Sequence, residues 1–489
     1  MNDAIVIGAG FGGIAAALRA RAKGWNVTLI DRAPQLGGRA QVFEREGFRH
    51  DAGPTVLTAP FLFEELFALF GERLDDHAKL VPLKPWYRFI YEDLSTFDYG
   101  GTVEDTLAEI RRVAPADVDG YQSLLNASKD IYHVGFKQLA DQPFHSLGKM
   151  IAAVPDMLRL GAHRSVWQLV CAHLKSEKLR QAFSIQPLLV GGNPFDTTCI
   201  YALIHFLERA HGVHFCMGGT GALVGAFEGL MRRQNITIRL GQTVAKIETA
   251  NHRVTGVRLD NGEVLPADAI ISNADPAHLY AQMLDRVDAK LSARIKTRFA
   301  RKSMGLFVLY FGADRQWNDV AHHTIVLGPR YEGLLRDIFQ RKTLADDMSI
   351  YLHRPTATDP GFAPAGCDSF YALVPVPNLD AGIDWSAEGP RMQARVIAEL
   401  ERKVLPGLSK SVRAPFHMTP ADFAHDYLSP AGAGFSIAPT FTQSAWFRFH
   451  NKAEGPKGLY LVGAGTHPGA GLPGVISSAK VLDHLLEAV

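Results

Sequence analysis

The sequence predicts an α/β protein in three parts: a Rossmann-like domain of the glutathione-reductase type, assembled from N-terminal, middle and C-terminal segments, a mixed β-sheet domain, and a helical lobe. Three observations carry this expectation. The chain opens on strand, glycine turn, helix and strand; it closes on a strand that enters a second glycine-rich loop and a helix; and between them a helix-rich stretch gives way to short β runs. At 489 residues it exceeds what one simple core organises, so several lobes and an enclosed cavity are expected.

Residues 4–7 are apolar, 8–13 turn, 14–23 are alanine-rich and 27–30 are apolar again, which reads as a βαβ unit. Residues 61–211 are helix-rich, and Ile200, Leu203, Ile204 and Leu207 follow the i, i+3, i+4, i+7 spacing of one buried face. From Ile236 the pattern changes to β, with a hairpin expected from 254–259, the turn Asp260-Asn261-Gly262 and the strand 269–272. Residues 304–311, 324–327, 349–353 and 370–374 are runs of strand length rich in Phe, Tyr, Val and Ile, suited to the floor of a second domain. Last come a strand at 459–462, a glycine-rich loop at 463–474 and an amphipathic helix at 475–488. The expected domains are 1–80 with 215–290 and 455–489, a helical lobe at 81–214, and a β-rich part at 291–454.

With 51 basic and 50 acidic side chains there is no global field to hold a nucleic acid, so none is expected as a partner. Cys171, Cys199, Cys216 and Cys367 lie far apart with no CxxC pair, which argues against a zinc site and a disulfide framework and fits a reducing cytoplasm. No metal is expected. The apolar start lacks the basic region of a signal peptide. The uncharged stretches 427–447 and 459–479 are broken by Pro430, Pro439, Pro468 and Pro473, so no spanning helix is expected.

The chemistry begins with GAGFGG, residues 8–13. Gly8 permits the turn, Gly10 lets the backbone approach a pyrophosphate, and Gly13 allows close packing of helix on strand. The helix start supplies free N–H groups for phosphate. Asp31, at the end of the second strand, is placed to accept ribose hydroxyls. A nicotinamide dinucleotide would satisfy this much. GGRA, residues 37–40, then offers the Arg39 guanidinium to a diphosphate, and in GLYLVGAGTHPGAGLPGV, residues 458–475, Pro473-Gly474 opens a second helix. Aimed at a flavin's N1–C2=O edge, the amides of Gly474 and Val475 would stabilise the charge of the reduced ring. That is a flavin's requirement.

With DAGPT (51–55) and GGTGALV (218–224), these blocks resemble the amine-oxidase-like FAD flavoproteins. LLVGGNPF (188–195), IYALIH (200–205), FVLYFG (307–312), GPRY (328–331), TQSAWFR (442–448) and GAGTHPGAGLPGV (463–475) narrow the match to the bacterial phytoene desaturases, from end to end of the chain. The resemblance implies noncovalent FAD and stepwise dehydrogenation of phytoene, a hydrophobic polyene precursor, to neurosporene or lycopene by hydride transfer to flavin N5. It implies that Gly8, Gly10, Phe11, Gly12, Gly13, Asp31, Arg32, Gly38, Arg39, Pro54 and Thr55 line the dinucleotide, that Val244 touches the adenine, and that Gly463, Ala464, Gly474 and Val475 meet the ribityl chain and ring. Asp31 is shorter than the glutamate frequent at its position, and Phe449 stands where similar enzymes often carry proline. No cysteine follows Cys367, so a cysteinyl-flavin link near the C-terminus has no candidate.

Three groups compete for the proton that desaturation releases. His467 reads first as a hydrogen-bonding spacer of the flavin loop, His50 and Asp51 as supports of the flavin site, and the residues name no catalytic base. The oily substrate implies a peripheral enzyme on the cytoplasmic side of the inner membrane, with oxygen or a membrane quinone as electron acceptor. Lys149, Arg159, Arg164, Lys175, Lys178 and Arg180, among the apolar residues of 149–180, suit interfacial helices on anionic lipid or a solvated helix face. Alternatives are a related flavoenzyme acting on another carotenoid or a polar amine, and a non-enzymatic prenyl-protein escort of similar fold.

Overall fold

The computed structural model describes residues 2–489, and of Leu147 and Lys149 the backbone alone. Its first layer is a five-stranded parallel sheet in the order Leu459–Leu461, Ala269–Ser272, Asp3–Ile7, Asn26–Ile30 and Thr237–Arg239. Strands from the start, middle and end of the chain therefore lie side by side. Such strands are covered on both faces, which is why they read as unbroken apolar runs. Ala4 and Val6 point into one core with the helices Phe11–Ala22, Gly219–Arg233 and Leu472–Lys480; Ile5 and Ile7 point into another against the antiparallel strands Val244–Ala250 and Arg253–Leu259.

Two sequence expectations change here. Arg253–Leu259 turns back onto Val264–Pro266, and Ala269–Ser272 is instead a central parallel strand between Asp3–Ile7 and Leu459–Leu461. All four residues of Ala269–Ser272 are buried, a pattern suited to a doubly covered strand rather than a hairpin edge. The last helix runs Leu472–Lys480 and ends in the short turn Val481–His484, because a proline fits the first turn of a helix and Pro473 starts this one rather than preceding it.

The second layer is a seven-stranded mixed sheet in the order Val412–Met418, Gly305–Ala313, Asp368–Val376, Ile350–His353, His323–Val326, Tyr87–Ile90 and Thr96–Tyr99. Phe307, Leu309 and Phe311 face the helix Trp385–Lys403, whereas Leu306, Val308 and Tyr310 face the helical part of the molecule. The strands Tyr87–Ile90 and Thr96–Tyr99 come from the stretch read as helical and pair through Tyr87–Ile90 with His323–Val326. At four residues each they are too short to stand out from their helical surroundings. Among the described residues no helix is long and apolar enough to cross a membrane.

Gly13 shows how tight the first layer is: a Cβ there would lie 1.8 Å from the Gly8 carbonyl oxygen, which belongs to a backbone held in the sheet. Gly13→Ala is expected to lower the apparent melting temperature by about 4 °C or more. Gly225→Ala, in the helix Gly219–Arg233 where an added Cβ meets nothing within 4 Å, is expected to hold or raise it by about 1–3 °C. Differential scanning fluorimetry of both variants checks the pair.

Candidate active site

The glycine turn is held from behind. Gly8 N donates to Ile30 O at 2.8 Å and Gly37 N to Ala9 O at 2.9 Å, so both glycine loops hang from strand ends. Asp31 accepts from Ala9 N at 2.5 Å through one carboxylate oxygen and from Ala33 N at 2.8 Å through the other. Each oxygen keeps a further lone pair, and Asp31 lines the cavity, where a ribose hydroxyl would donate. Burial raises the Asp31 pKa despite these amide bonds. The side chain of Asn273, just beyond the strand Ala269–Ser272, fills the space between the loops: a Cβ on Gly12 would sit 2.4 Å from its Oδ1, and one on Gly463 2.5 Å from the same atom.

Around this turn lies a cavity of about 860 Å³. Fourteen of the sixteen candidate residues line it: Gly8, Gly10, Phe11, Gly12, Asp31, Arg32, Gly38, Arg39, Pro54, Thr55, Val244, Ala464, Gly474 and Val475. Gly13 and Gly463 stand behind its wall, the first under Gly8 and the second against Asn273, where they let backbones close up. Arg32 is turned aside to the carbonyls of His425 and Asp426. Arg39 faces the cavity: its Nη2 reaches Ser429 Oγ at 3.2 Å, its guanidinium lies over the Tyr427 ring, and its buried Nε has no hydrogen-bond partner. A buried guanidinium with an unused donor and no ion-pairing carboxylate among the described residues fits an anion. Free amides at the start of Phe11–Ala22 favour the same charge.

The C-terminal loop is clamped by two buried side chains, Arg448 and Asn451. Arg448, the arginine of TQSAWFR, is fully buried and donates to the carbonyls of Thr466 (2.9 Å), Gln443 (3.2 Å) and Ala464 (2.5 Å). Asn451 donates to His467 O at 3.0 Å. The amide expectation changes in part. Val475 N is spent on Gly471 O at 2.9 Å, the first bond of its helix, so the Gly474 amide, one turn position earlier, is the donor of the two that the helix leaves over.

DAGPT and GGTGALV meet. Asp51 accepts from Thr220 N at 3.1 Å at the start of Gly219–Arg233, and burial pushes its pKa up to about 6. His50 bonds Ser369 Oγ at 3.0 Å, with its pKa lowered to about 4 by burial. Both side chains are bonded into the framework, with His50 Nε2 and Asp51 Oδ2 left without hydrogen-bond partners. His467 lines the cavity, but its Nε2 is tied to Leu139 O at 2.9 Å and burial lowers its pKa to about 4, the behaviour of a neutral spacer.

Beyond the dinucleotide end the lining is apolar, with Ile185, Leu188, Ile200, Leu203, Ile204, Leu207, Val308, Ile325 and Leu373. The spaced apolar face of 200–207 therefore fronts a cavity rather than a closed core. Where Thr55 enters, its hydroxyl meets Tyr351 OH at 2.8 Å, which meets His323 Nδ1 at 2.7 Å. His322, His323 and His353 bring ring nitrogens within 4.8 Å of one another, a cluster that counting cysteines could not reveal. His353 Nε2 and His322 Nε2 share a hydrogen bond at 3.1 Å, and burial keeps all three neutral.

The sequence matches the model of the flavin-containing amine oxidoreductases over residues 11–481. It is 46% identical over 99% of both chains to a lycopene-forming phytoene desaturase of Pseudescherichia vulneris. The chain belongs to this flavoprotein family, among the bacterial phytoene desaturases. A neurosporene-forming phytoene desaturase of Cereibacter sphaeroides is 44% identical, over 99% of this chain and 94% of its own. Cyclohexylamine oxidase from Brevibacterium oxydans, 15% identical with 99% of each chain covered, superposes with a TM-score of 0.63 and shows the shared fold.

Arg39→Met keeps the bulk of the side chain and removes the buried cation. Isothermal titration of the flavin-stripped protein with FAD is expected to show binding weaker by about 10- to 100-fold, the worth of one charge-assisted hydrogen bond. Unchanged affinity would mean that Arg39 does not face the diphosphate.

Proposed function

We propose that this protein desaturates phytoene to lycopene or neurosporene in carotenoid biosynthesis, with FAD held noncovalently in the cradle of residues 8–13, 31, 37–39 and 463–475. The observation that carries the reading is one cavity whose donor-rich end suits a dinucleotide and whose remaining length is lined mainly by apolar side chains. Among the described residues that length holds a single carboxylate, Glu208, so a polar amine would find no carboxylate pair there. When bound, FAD supplies the hydride acceptor for a CH2–CH2 unit and is reoxidised by oxygen or a membrane quinone. The chain's own work is to align the hydrocarbon, exclude water and keep cations away from a substrate that turns positive during the reaction. Burial serves the last task by holding His50, His323 and His467 neutral.

The substrate dissolves only in lipid, and apolar side chains exposed next to cavity-lining ones suit uptake from a membrane. Met150, Met157 and Phe441 line the cavity, and on the helix Leu147–Arg159 that carries the two methionines Ile151, Val154 and Leu158 are exposed. Helix Leu291–Phe299 exposes Leu291, Ile295 and Phe299, spaced i, i+4, i+8, and its Lys296 bonds Arg448 O beside Trp446. The segment 445–448 thus separates two apolar helical faces that would enter the headgroup region together. Part of the charge pattern of 149–180 has other work: Lys178 pairs with Asp93, Arg180 bonds Leu174 O, and Leu169 and Val170 are core residues. The Lys149 side chain lies outside the described residues.

Incubation with phytoene, FAD and liposomes is expected to yield a pigment whose absorption bands move redward with each added double bond. Gly10→Val, which fills the closest approach to the phosphates, is expected to purify without flavin and form no pigment. Acid precipitation of the wild type is expected to leave all the flavin in the supernatant. Flavin in the pellet would contradict noncovalent binding, and a colourless extract from flavin-loaded wild type would contradict the substrate.

A further inference from the structure

One buried acid remains without a task. Glu208 lies on helix Leu203–His211, on the face that presents Leu203, Ile204 and Leu207 to the cavity, and it lines the cavity itself. Its carboxylate is fully buried. Oε1 accepts a hydrogen bond from Tyr87 OH at 2.7 Å; Oε2 has no partner. A buried carboxylate oxygen left unpaired beside a hydrocarbon passage is costly, and such costs mark groups held for chemistry.

The other carboxylates of the lining are engaged elsewhere. Asp31 holds the glycine turn, and Asp426 and His278 lie by Arg32 at the dinucleotide end. His467 has its Nε2 fixed to the Leu139 carbonyl; its buried Nδ1 has no partner, but with a pKa lowered to about 4 it is a weak proton acceptor. We propose that Glu208 is the proton acceptor of the desaturation, a catalytic base acting through Oε2 and oriented by Tyr87. One C–H bond of the CH2–CH2 unit breaks with its electron pair, a hydride that FAD, when bound, would accept. The neighbouring C–H bond breaks, its electron pair becomes the new C=C bond, and its proton passes to Oε2, converting carboxylate to carboxylic acid. Negative charge at Glu208 also favours the intermediate cation on the hydrocarbon.

The surroundings suit the role. Burial pushes the Glu208 pKa up to about 7, while the Tyr87 hydrogen bond and the Arg209 guanidinium pull it down. An acceptor poised near neutral pH exchanges protons most effectively. Tyr99 and Tyr121 face it from the neighbouring strand and helix, and Arg209 is drawn aside to Gly101 O and Thr106 Oγ1. Tyr87 in turn packs beside His323.

The inference rests on phytoene as substrate, and the test separates the two. Flavin-loaded wild type, Glu208→Gln and Tyr87→Phe are assayed with phytoene in liposomes across pH, and the carboxyl C=O stretch of each is followed by infrared titration. Glutamine keeps an acceptor for Tyr87, so Glu208→Gln is expected to retain FAD, melting temperature and KM while kcat falls by about 100-fold or more. Its pH profile is expected to lose the acid limb, and a protonated carboxyl band that titrates near neutrality in the wild type is expected to vanish. Tyr87→Phe is expected to stay active with its acid limb at higher pH, because the lost hydrogen bond favoured the charged form. Glu208→Gln with kcat within about threefold of wild type, or with the acid limb unmoved, overturns the proposal. Flavin-loaded wild type that makes no pigment overturns the substrate reading and this one with it.

Discussion

Backbones meet almost in contact at the carboxyl ends of Asp3–Ile7, Ala269–Ser272 and Leu459–Leu461, and the rest of the molecule follows from how that contact is kept. Two glycine-bearing loops converge there with one polar side chain of the third loop, Asn273, wedged between Gly12 and Gly463 at distances that leave no room for a methyl group. The parallel pairing of the three strands sets the convergence, and the absence of side chains on the glycines permits it. Loops pressed this close hide backbone carbonyls from water. Arg448 and Asn451 supply the donors that satisfy them, these two side chains together reaching six carbonyls of residues 443–478 at 3.3 Å or less.

With those carbonyls held from behind, what faces the cavity is mainly donor and cation: loop amides, a helix start and the unpaired Nε of Arg39. Farther along, polarity falls away to aliphatic side chains, interrupted where Thr55, Tyr351 and His323 form a hydrogen-bonded chain and where Glu208 stands. The cavity thus carries a gradient from anion-seeking to oily. Burial enforces the second part, since desolvation strips the proton from each histidine near the passage and leaves no imidazolium to oppose a developing cation.

The second sheet shares the same economy of surfaces. Gly305–Ala313 is buried along its whole length because one face packs on Trp385–Lys403 and the other on the helical part that walls the cavity. The helical stretch is itself stitched to that sheet by Tyr87–Ile90, the strand that also delivers Tyr87 to Glu208. Fold and site are coupled through a four-residue strand.

The sequence by itself determined the elements whose cause is local. Glycines at 8, 10 and 13 after a β-branched run, Asp31 after the next such run, and proline at 473 opening the last helix each act through their own backbone or their neighbours within a few residues, so spacing alone exposes them. Tertiary structure alone decided what depends on distant partners. The pairing of 269–272 with the chain's two ends, the wedge at Asn273, the clamp at Arg448, the gathering of His322, His323 and His353, and the opening of the 200–208 face onto a cavity have no local signature, because each is fixed by a surface more than 30 residues away in most cases and by long-range packing in all. Glu208 shows the limit best: in the sequence it is an acid on an amphipathic helix, and only burial beside an aliphatic passage turns it into a group that must be accounted for.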